Sequence, residues 1–173
     1  LTGDFRSPVL DLVNADGSFG CDLRYQGYEI CDGKYNLKGL PAVYAAEEEA
    51  QTLIIYMKDQ VTGLQVELLY GVLPEYDVIT RSAKVINTEE DKIRLTKAQA
   101  ACIDFLHGEF DVISFYGRHA MERNMQRTSV GHGAFVIGSR RGTSSHQYNP
   151  MMILAEKETT EDAGTCYGMS FVY

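Results

Sequence analysis

The sequence has no tryptophan, and only four prolines and four cysteines among its 173 residues. No two cysteines form a Cys-x-x-Cys pair, which argues against a zinc ribbon or a thioredoxin-type motif. No apolar run reaches the roughly 18 residues needed to cross a membrane. The chain also lacks a block of basic residues and carries a net charge of −8. Because nucleic-acid binding depends on Lys and Arg facing phosphates, we expect neither a nucleic acid nor a membrane as a partner.

The four cysteines are Cys21, Cys31, Cys102 and Cys166. Three of them, all except Cys31, lie in apolar or aromatic strand patterns, where a free cysteine behaves as a small hydrophobic residue. We predict four reduced thiols and an intracellular, cytoplasmic protein, with two disulfides as the alternative. The chain starts at Leu1 without a signal-peptide pattern, so its natural N-terminus is expected to be missing.

Length and composition predict one domain, residues 1–173, or one compact piece of a larger protein. The hydrophobic content of 45% and the charged content of 23% are ordinary for a globular fold. The dominant hydrophobic period is two, which is typical of strands. In the segment 63–73, one apolar face is formed by Leu64, Val66, Leu68 and Tyr70.

About ten such segments follow one another with turn residues between them, for example Asp-Gly at 16–17. Residues 41–51 are the only stretch of helical composition, and residues 118–127 fit neither pattern clearly. The sequence therefore predicts an all-β fold, a large antiparallel β-sandwich with little helix. The predicted strands are 9–14, 19–31, 52–59, 63–73, 77–87, 92–106, 111–116, 127–138, 149–157 and 165–173.

The densest group of reactive side chains is the run SRRGTSSHQYNP at 139–150. A catalytic serine and its histidine must meet side chain to side chain at about 2.6–3.2 Å. Ser145 and His146 are adjacent, and neighbours in an extended chain point to opposite faces. The sequence also has no Gly-x-Ser-x-Gly elbow. A polar loop whose side chains satisfy its own backbone explains the run better than a hydrolase triad.

Other catalytic and ligand-binding patterns are equally weak. The four histidines show no metal-binding spacing, and His119 shares a face with Glu122 only if that segment is helical. The glycines of GHGAFVIG (131–138) run into a predicted strand rather than a helix, which argues against a dinucleotide site. The acidic groups at 47–49, 89–91 and 158–162 look like exposed turns rather than a glycosidase pair. We therefore predict no metal, no cofactor and no catalytic residue within the chain.

Longer phrases of the sequence resemble a known family. The chain is similar, in order and over nearly its whole length, to the N-terminal domain of bacterial α-galactosidases of glycoside hydrolase family 36. The phrases that carry this resemblance are GDFRSPVLDLVNADGS (3–18), DLRYQGYEICDGKYNLKGLPAVY (22–44), TLIIYMKDQVTGLQVELLYGVLPEYDVITRSAKVIN (52–87), SRRGTSSHQYNP (139–150) and YGMSFVY (167–173).

The resemblance implies a three-part enzyme with an N-terminal β-supersandwich, a (β/α)8 barrel and a small C-terminal β-domain. In such enzymes, two aspartates of the barrel act as nucleophile and acid/base. This chain shows neither a barrel pattern nor the Lys-Trp-Asp segment that carries the nucleophile, so no catalytic residue is carried over. The chain alone is expected to be an inactive fragment of the N-terminal domain, which supports hydrolysis of raffinose-type galactosides by the barrel.

Under this resemblance, the run at 139–150 is predicted to contact the barrel or a neighbouring subunit near the pocket mouth. The residues concerned are Arg140, Arg141, Ser145, His146, Gln147 and Asn149. The intact enzyme is expected to be a homo-oligomer that acts on galacto-oligosaccharides. Two alternatives stay open: a separate carbohydrate-binding module, which the lack of tryptophan disfavours, and a mutarotase-like enzyme, which would need a histidine and a carboxylate in one cleft.

Overall fold

The computed structural model describes residues 8–39, 43–143 and 145–172, and the chain divides into two compact units, residues 1–103 and 104–173. Every strand pairing in the described part is antiparallel. The all-β prediction is therefore confirmed. The strands are β1 (Leu10–Val13), β2 (Leu23–Asp32), β3 (Gln51–Asp59), β4 (Gln65–Leu73), β5 (Val78–Ile86), β6 (Arg94–Ala98), β7 (Phe110–Arg118), β8 (Met121–Ser129), β9 (Tyr148–Glu156) and β10 (Cys166–Ser170).

The first unit contains a four-stranded sheet of order β2-β3-β4-β5 and a two-stranded ribbon, β1-β6. Successive side chains of β4 point to opposite faces of the sheet, so each face carries one row of β4 side chains. The most buried apolar residues of the unit include Leu12 of β1, Leu64 just before β4 and Val66 within it. The predicted apolar face of 63–73 therefore contributes to the core.

The second face of this sheet is covered by the loop that follows β2. The backbone amide of Tyr35 donates to the hydroxyl of Thr52 at 2.8 Å, and the Tyr35 hydroxyl bonds to that of Ser82 at 3.1 Å. Thr52 is almost completely buried. Gly71 lies under this loop, because a Cβ there would lie 2.6 Å from the Thr80 hydroxyl oxygen and 3.3 Å from the Tyr35 ring.

The β3–β4 turn is organised by a buried carboxylate that the sequence patterns did not single out. Asp59 is only 3% exposed, and one of its carboxylate oxygens accepts hydrogen bonds from the amides of Val61 and Thr62. Its other oxygen accepts from the amide of Asp22 at 2.7 Å, which ties the chain entering β2 to this turn. Burial raises the pKa of Asp59, but the hydrogen bonds from Thr62, Asp22 and Val61 outweigh it and keep the pKa below its ordinary value.

The second unit is a four-stranded sheet of order β10-β9-β7-β8. A group of hydrogen bonds around Arg127, called the bracket below, holds one end of this sheet. The Nε of Arg127 donates to Asp111 at 2.7 Å, and its other nitrogens donate to the carbonyl oxygens of Thr159, Glu156 and Lys157. Asp111 also accepts from the Ser129 hydroxyl at 2.8 Å. Arg127 therefore joins β7 and β8 to the turn between β9 and β10.

Several predicted boundaries are wrong. The strand predicted at 127–138 ends at Ser129, and residues 130–138 form no strand although they include Phe135 and Val136. Gly131, Gly133 and Gly138 interrupt this stretch, and Gly133 has a positive φ of 106°. The strand predicted at 92–106 is reduced to β6.

The two ambiguous segments are now assigned. Within 41–51, Glu47–Glu49 forms one 3-10 turn and β3 begins at Gln51, while residues 41 and 42 lie outside the described residues. The stretch 118–127 belongs to the β7–β8 hairpin, so His119 and Glu122 do not share a helical face. Among the residues described, no helix is long and apolar enough to cross a membrane.

The three cysteines that lie in apolar or aromatic sequence patterns differ in their exposure. All four are unpaired in the structure, but Cys102 and Cys166 are exposed and only Cys21 of the three is partly buried. Cys166 is the first residue of β10, which is an edge strand of its sheet. A residue in an edge strand can fit a strand pattern and still be exposed. Burial raises the pKa of the Cys21 thiol, and nearby Asp59 and Asp22 raise it further. Cys21 is therefore a poor nucleophile at neutral pH.

Candidate functional site

The loop before β9, residues 139–147, presents its polar side chains to solvent. Arg140, Arg141, His146 and Gln147 are exposed, whereas Ser145 is half-buried. Asn149 is also half-buried, because it lies within β9. Ser144 lies outside the described residues. The loop thus offers two guanidinium groups, an imidazole and an amide on one segment.

Local hydrogen bonds shape the backbone of this loop. The amide of Arg141 donates to the Ser139 hydroxyl, and the amide of Gln147 donates to the Ser145 hydroxyl, each at 3.3 Å. Both are serine turns across two residues, in which the side chain replaces a backbone acceptor. Among the described residues, no group accepts a hydrogen bond from the Arg140 or Arg141 guanidinium. Both guanidinium groups can therefore form a bidentate pair with a partner's carboxylate.

The end of the loop lies against the β7–β8 hairpin. Tyr148, the first residue of β9, pairs with Tyr116 of β7. A Cβ on Gly117 would lie 3.2 Å from the carbonyl oxygen of His146, so a side chain at position 117 would crowd the loop. The end of the loop therefore lies next to the β7–β8 hairpin tip.

The hairpin tip has an unusual backbone. Ala120 and Arg123 adopt left-handed conformations, with φ of 61° and 57°. Non-glycine residues persist in this region when the surrounding structure holds them. Here the amide of Ala120 donates to the Glu122 carboxylate at 2.8 Å, and the side-chain amide of Asn124 donates to the Met121 carbonyl. Hydrogen bonds from the amides of Glu122 itself and Ala120 lower the pKa of Glu122, and the nearby His146 lowers it further.

The structure offers no catalytic or metal centre in the described residues. All four histidines are exposed, and no group of three or more His, Cys, Asp or Glu side chains in 8–39, 43–143 and 145–172 is placed to hold a metal ion. The hydroxyl oxygen of Ser145 accepts a hydrogen bond from the Gln147 amide, and among the described residues Ser145 and His146 form no side-chain hydrogen bond with each other. The acidic groups at 89–91 and 158–162 lie in exposed turns, as predicted.

Comparison with known proteins identifies the family. The model of the glycosyl hydrolase family 36 N-terminal domain matches residues 1–173. The bifunctional alpha-galactosidase/sucrose kinase AgaSK of Mediterraneibacter gnavus is 60% identical over 99% of this chain, which covers 18% of that protein. The alpha-galactosidase Mel36A of Lactobacillus acidophilus is 43% identical over 98% of this chain, which covers 23% of it. The chain thus spans about a fifth of the length of these curated relatives.

Solved structures agree with the sequence comparison. The GH36 alpha-galactosidase AgaA of Geobacillus stearothermophilus superposes with a TM-score of 0.93 at 40% identity, over 98% of this chain and 24% of that one. The galactosidase domain of AgaSK gives a TM-score of 0.89 at 59% identity, over 96% of this chain and 23% of that one. These likenesses confirm the predicted β-sandwich class. The chain belongs to the N-terminal domain family of glycosyl hydrolase family 36.

Proposed function

We propose that this chain is the non-catalytic N-terminal domain of an α-galactosidase and supports a catalytic barrel outside residues 1–173. The match of the whole chain to the family's N-terminal domain carries this proposal. The 60% identity to one α-galactosidase and the 43% identity to another support it. In this proposal the barrel hydrolyses terminal α-galactosides such as raffinose or melibiose, in the cytoplasm.

The loop at 139–147, with Asn149, serves in this proposal as a contact to the barrel or to a neighbouring subunit of a homo-oligomer. Its two exposed arginines support this role, because a planar guanidinium can bind a carboxylate or backbone carbonyls with two parallel hydrogen bonds. The close packing of the loop on the β7–β8 hairpin, where a Cβ at Gly117 would lie 3.2 Å from the His146 carbonyl oxygen, supports it as well, since a loop held in place loses less conformational entropy on binding. Both compact units, residues 1–173, act together as one N-terminal domain.

A first experiment measures hydrolysis of a chromogenic α-galactoside by the purified chain between about pH 4 and pH 8. The expected result is no turnover, because the family mechanism needs two carboxyl groups held across the scissile bond. Activity that copurifies with the chain through several columns would contradict the proposal.

A second experiment tests the supporting role directly. The 172 matched residues of the AgaSK relative are replaced by this chain, and the chimera is compared with the same relative lacking those residues. We expect the truncated protein to lose activity and the chimera to recover most of it. A chimera that folds yet remains as inactive as the truncated protein would argue against the supporting role.

A further inference from the structure

The polar face of the four-stranded sheet in the first unit ends in two rows of side chains, called the polar rows below. Residues paired across antiparallel strands lie on the same face of a sheet. The pairings therefore form one row from Arg24, Lys58, Gln65 and Ile86, and the next row from Gly27, Tyr56, Glu67 and Lys84. The loop after β2 covers this face at its other end, around Thr52 and Gly71.

Charge identifies the polar rows as a surface that faces water. The opposite face of the sheet is apolar, and there Val66 is only 4% exposed. An antiparallel sheet commonly turns its apolar face to a core and its polar face to solvent. Covering Lys58, Glu67 and Lys84 with another part of the chain would remove charged groups from water, which is costly. The polar rows are therefore accessible to a ligand in solution.

A depression of about 260 Å³ lies over the polar rows. Its polar lining residues are Gln26, Tyr56, Lys58, Gln65 and Glu67. Gln26 is the extra residue of a β-bulge between Tyr25 and Gly27, and a bulge can re-aim a side chain. Most ligand pockets have volumes of roughly 300–1,000 Å³, so this depression has room for one ring of a larger ligand.

Two side chains of the depression are held in place before any ligand arrives. The half-buried Tyr56 donates its hydroxyl hydrogen to Glu29 at 2.9 Å. The half-buried Glu67 accepts hydrogen bonds from the Lys84 ammonium group at 3.1 and 3.3 Å. Both residues lie on the two inner strands of the sheet, β3 and β4. Because held side chains lose less conformational entropy on binding, the depression is preorganised for a ligand.

The side chains of the depression fit the chemistry of a sugar. The amide groups of Gln26 and Gln65 can both donate and accept hydrogen bonds, as a sugar hydroxyl does. Lys58 adds a donor and Glu67 adds an acceptor. The carbon-bound hydrogens of a sugar ring form an apolar face that can pack on an aromatic ring, which Tyr56 provides. One tyrosine thus supplies the stacking surface in a chain without tryptophan.

Charge decides between a neutral and a charged ligand. Three carboxylates and three cations lie on or beside the polar rows: Asp22, Glu29, Glu67, Arg24, Lys58 and Lys84. Their charges cancel, and two of the cations are in ion pairs, Arg24 with Asp22 at 2.6 Å and Lys84 with Glu67 at 3.1 Å. An anion or a cation therefore meets no excess of opposite charge. The balance favours a ligand that is polar and neutral.

We propose that the polar rows bind one ring of a neutral oligosaccharide, with Tyr56 against its apolar face and with Gln65 and Glu67 bound to its hydroxyl groups. This site is additional to the proposed supporting role and does not rest on it, because the class of ligand follows from side chains of the first unit.

The test is a titration of the 173-residue chain with raffinose, a neutral trisaccharide, followed by two-dimensional NMR of the backbone amides. We expect a dissociation constant of about 0.3–10 mM, since a site for one ring makes few contacts. The largest shifts should fall on the amides of residues 26, 56–58 and 65–67. Added salt should change the constant by less than about twofold, because the ligand carries no charge.

Tyr56→Ala removes the aromatic ring from the depression and should raise the dissociation constant by about tenfold or more. Tyr76→Ala is the matched control, because the Tyr76 hydroxyl also donates to a glutamate, Glu49 at 3.2 Å, and Tyr76 is 58% exposed outside the polar rows. It should leave the constant within about twofold. Glu67→Gln keeps the shape of the side chain but removes its charge, and should raise the constant by about threefold or more.

Circular dichroism and melting curves show whether each variant is folded, and Glu67→Gln keeps the test decisive if Tyr56→Ala does not fold. Absence of shifts up to about 50 mM raffinose would overturn the proposal. Shifts confined to strands other than β2, β3 and β4 would also overturn it. Equal weakening by Tyr56→Ala and Tyr76→Ala, or tighter binding of citrate than of raffinose, would count against it in the same way.

Discussion

At the scale of single residues, Arg127 makes four long-range hydrogen bonds, more than any other side chain among the described residues of the second unit. It donates to the Asp111 carboxylate and to three carbonyl oxygens of the segment 156–159. These acceptors surround a planar group with five donors, and a lysine ammonium cannot reach all of them from one point. Arg127 therefore determines how the β9–β10 turn sits on the sheet.

We expect Arg127→Lys to lower the free energy of unfolding by about 1–3 kcal/mol, because carbonyl acceptors of the turn lose their partner. Urea denaturation measures this change. Arg24→Lys is the matched control, since Arg24 forms an ion pair with Asp22 in which both side chains are about 70% exposed. That substitution should change the free energy by about 0.5 kcal/mol or less. Equal effects of the two substitutions would mean that the bracket contributes no stability of its own.

At the scale of elements, the turn between β3 and β4 depends on the ionised form of Asp59. Its carboxylate accepts three backbone amides, and these keep the pKa of Asp59 below its ordinary value of 3.8. A carboxyl group whose folded-state pKa is depressed binds its proton less readily in the folded than in the unfolded state. Its contribution to stability is therefore complete above about pH 5 and is lost as the pH falls through and below 3.8.

This linkage gives a prediction for Asp59→Asn. The variant keeps the shape of the side chain but replaces one acceptor oxygen with a donor, so we expect a loss of about 1–3 kcal/mol at pH 7. The difference between wild type and variant should shrink as the pH is lowered from 5 towards 3. Denaturation at a series of pH values measures it, with Asp91→Asn in an exposed turn as the control. A difference that is constant over this range would show that the charge of Asp59 has no role.

The strands that the sequence predicted correctly are those whose pattern lies within the strand itself and its adjoining turns. Alternating apolar residues and turn residues placed β3, β4 and β5 within two residues of their observed bounds. The failure at 130–138 has a physical reason: β7 begins at Phe110, which accepts the Val130 amide, and β8 is an edge strand, so the described residues beyond Val130 have no neighbouring strand to pair with. An apolar run predicts a strand, but only a neighbouring strand completes its hydrogen bonds.

The candidate site was predicted in part. The run at 139–150 contains serines, a glycine and a proline, and these indicated an exposed polar loop, as Arg140, Arg141, His146 and Gln147 show. Its contact with the hairpin tip could not be predicted, because Gly117 and His146 are 29 positions apart in the chain and meet only through the pairing of β7 with β9. The bracket of Arg127 depends in the same way on pairings between distant segments.

At the scale of the whole molecule, the loop at 139–147 can have either of two roles. Stability measurements alone would not distinguish them. If the loop only braces its own sheet, its side chains stabilise the isolated chain. If it contacts a barrel or another subunit, these side chains are exposed in the isolated chain and become protected in the intact enzyme. The exposure of Arg141 and His146 agrees with the second role. An exposed side chain without a partner adds little to folding, since substitutions at such positions usually change stability by no more than about 0.5 kcal/mol.

We therefore expect Arg141→Ala and His146→Ala to leave the melting temperature of the 173-residue chain almost unchanged. In the chimera with the AgaSK relative, the same substitutions should lower α-galactosidase activity or assembly, because a buried acceptor in the partner would lose a charge-assisted hydrogen bond. Paired melting curves and galactosidase assays measure both effects, with Arg24→Ala, at an exposed residue of the first unit, as the control. A loss of stability of the same size in the isolated chain and in the chimera would mean that the loop braces only its own unit.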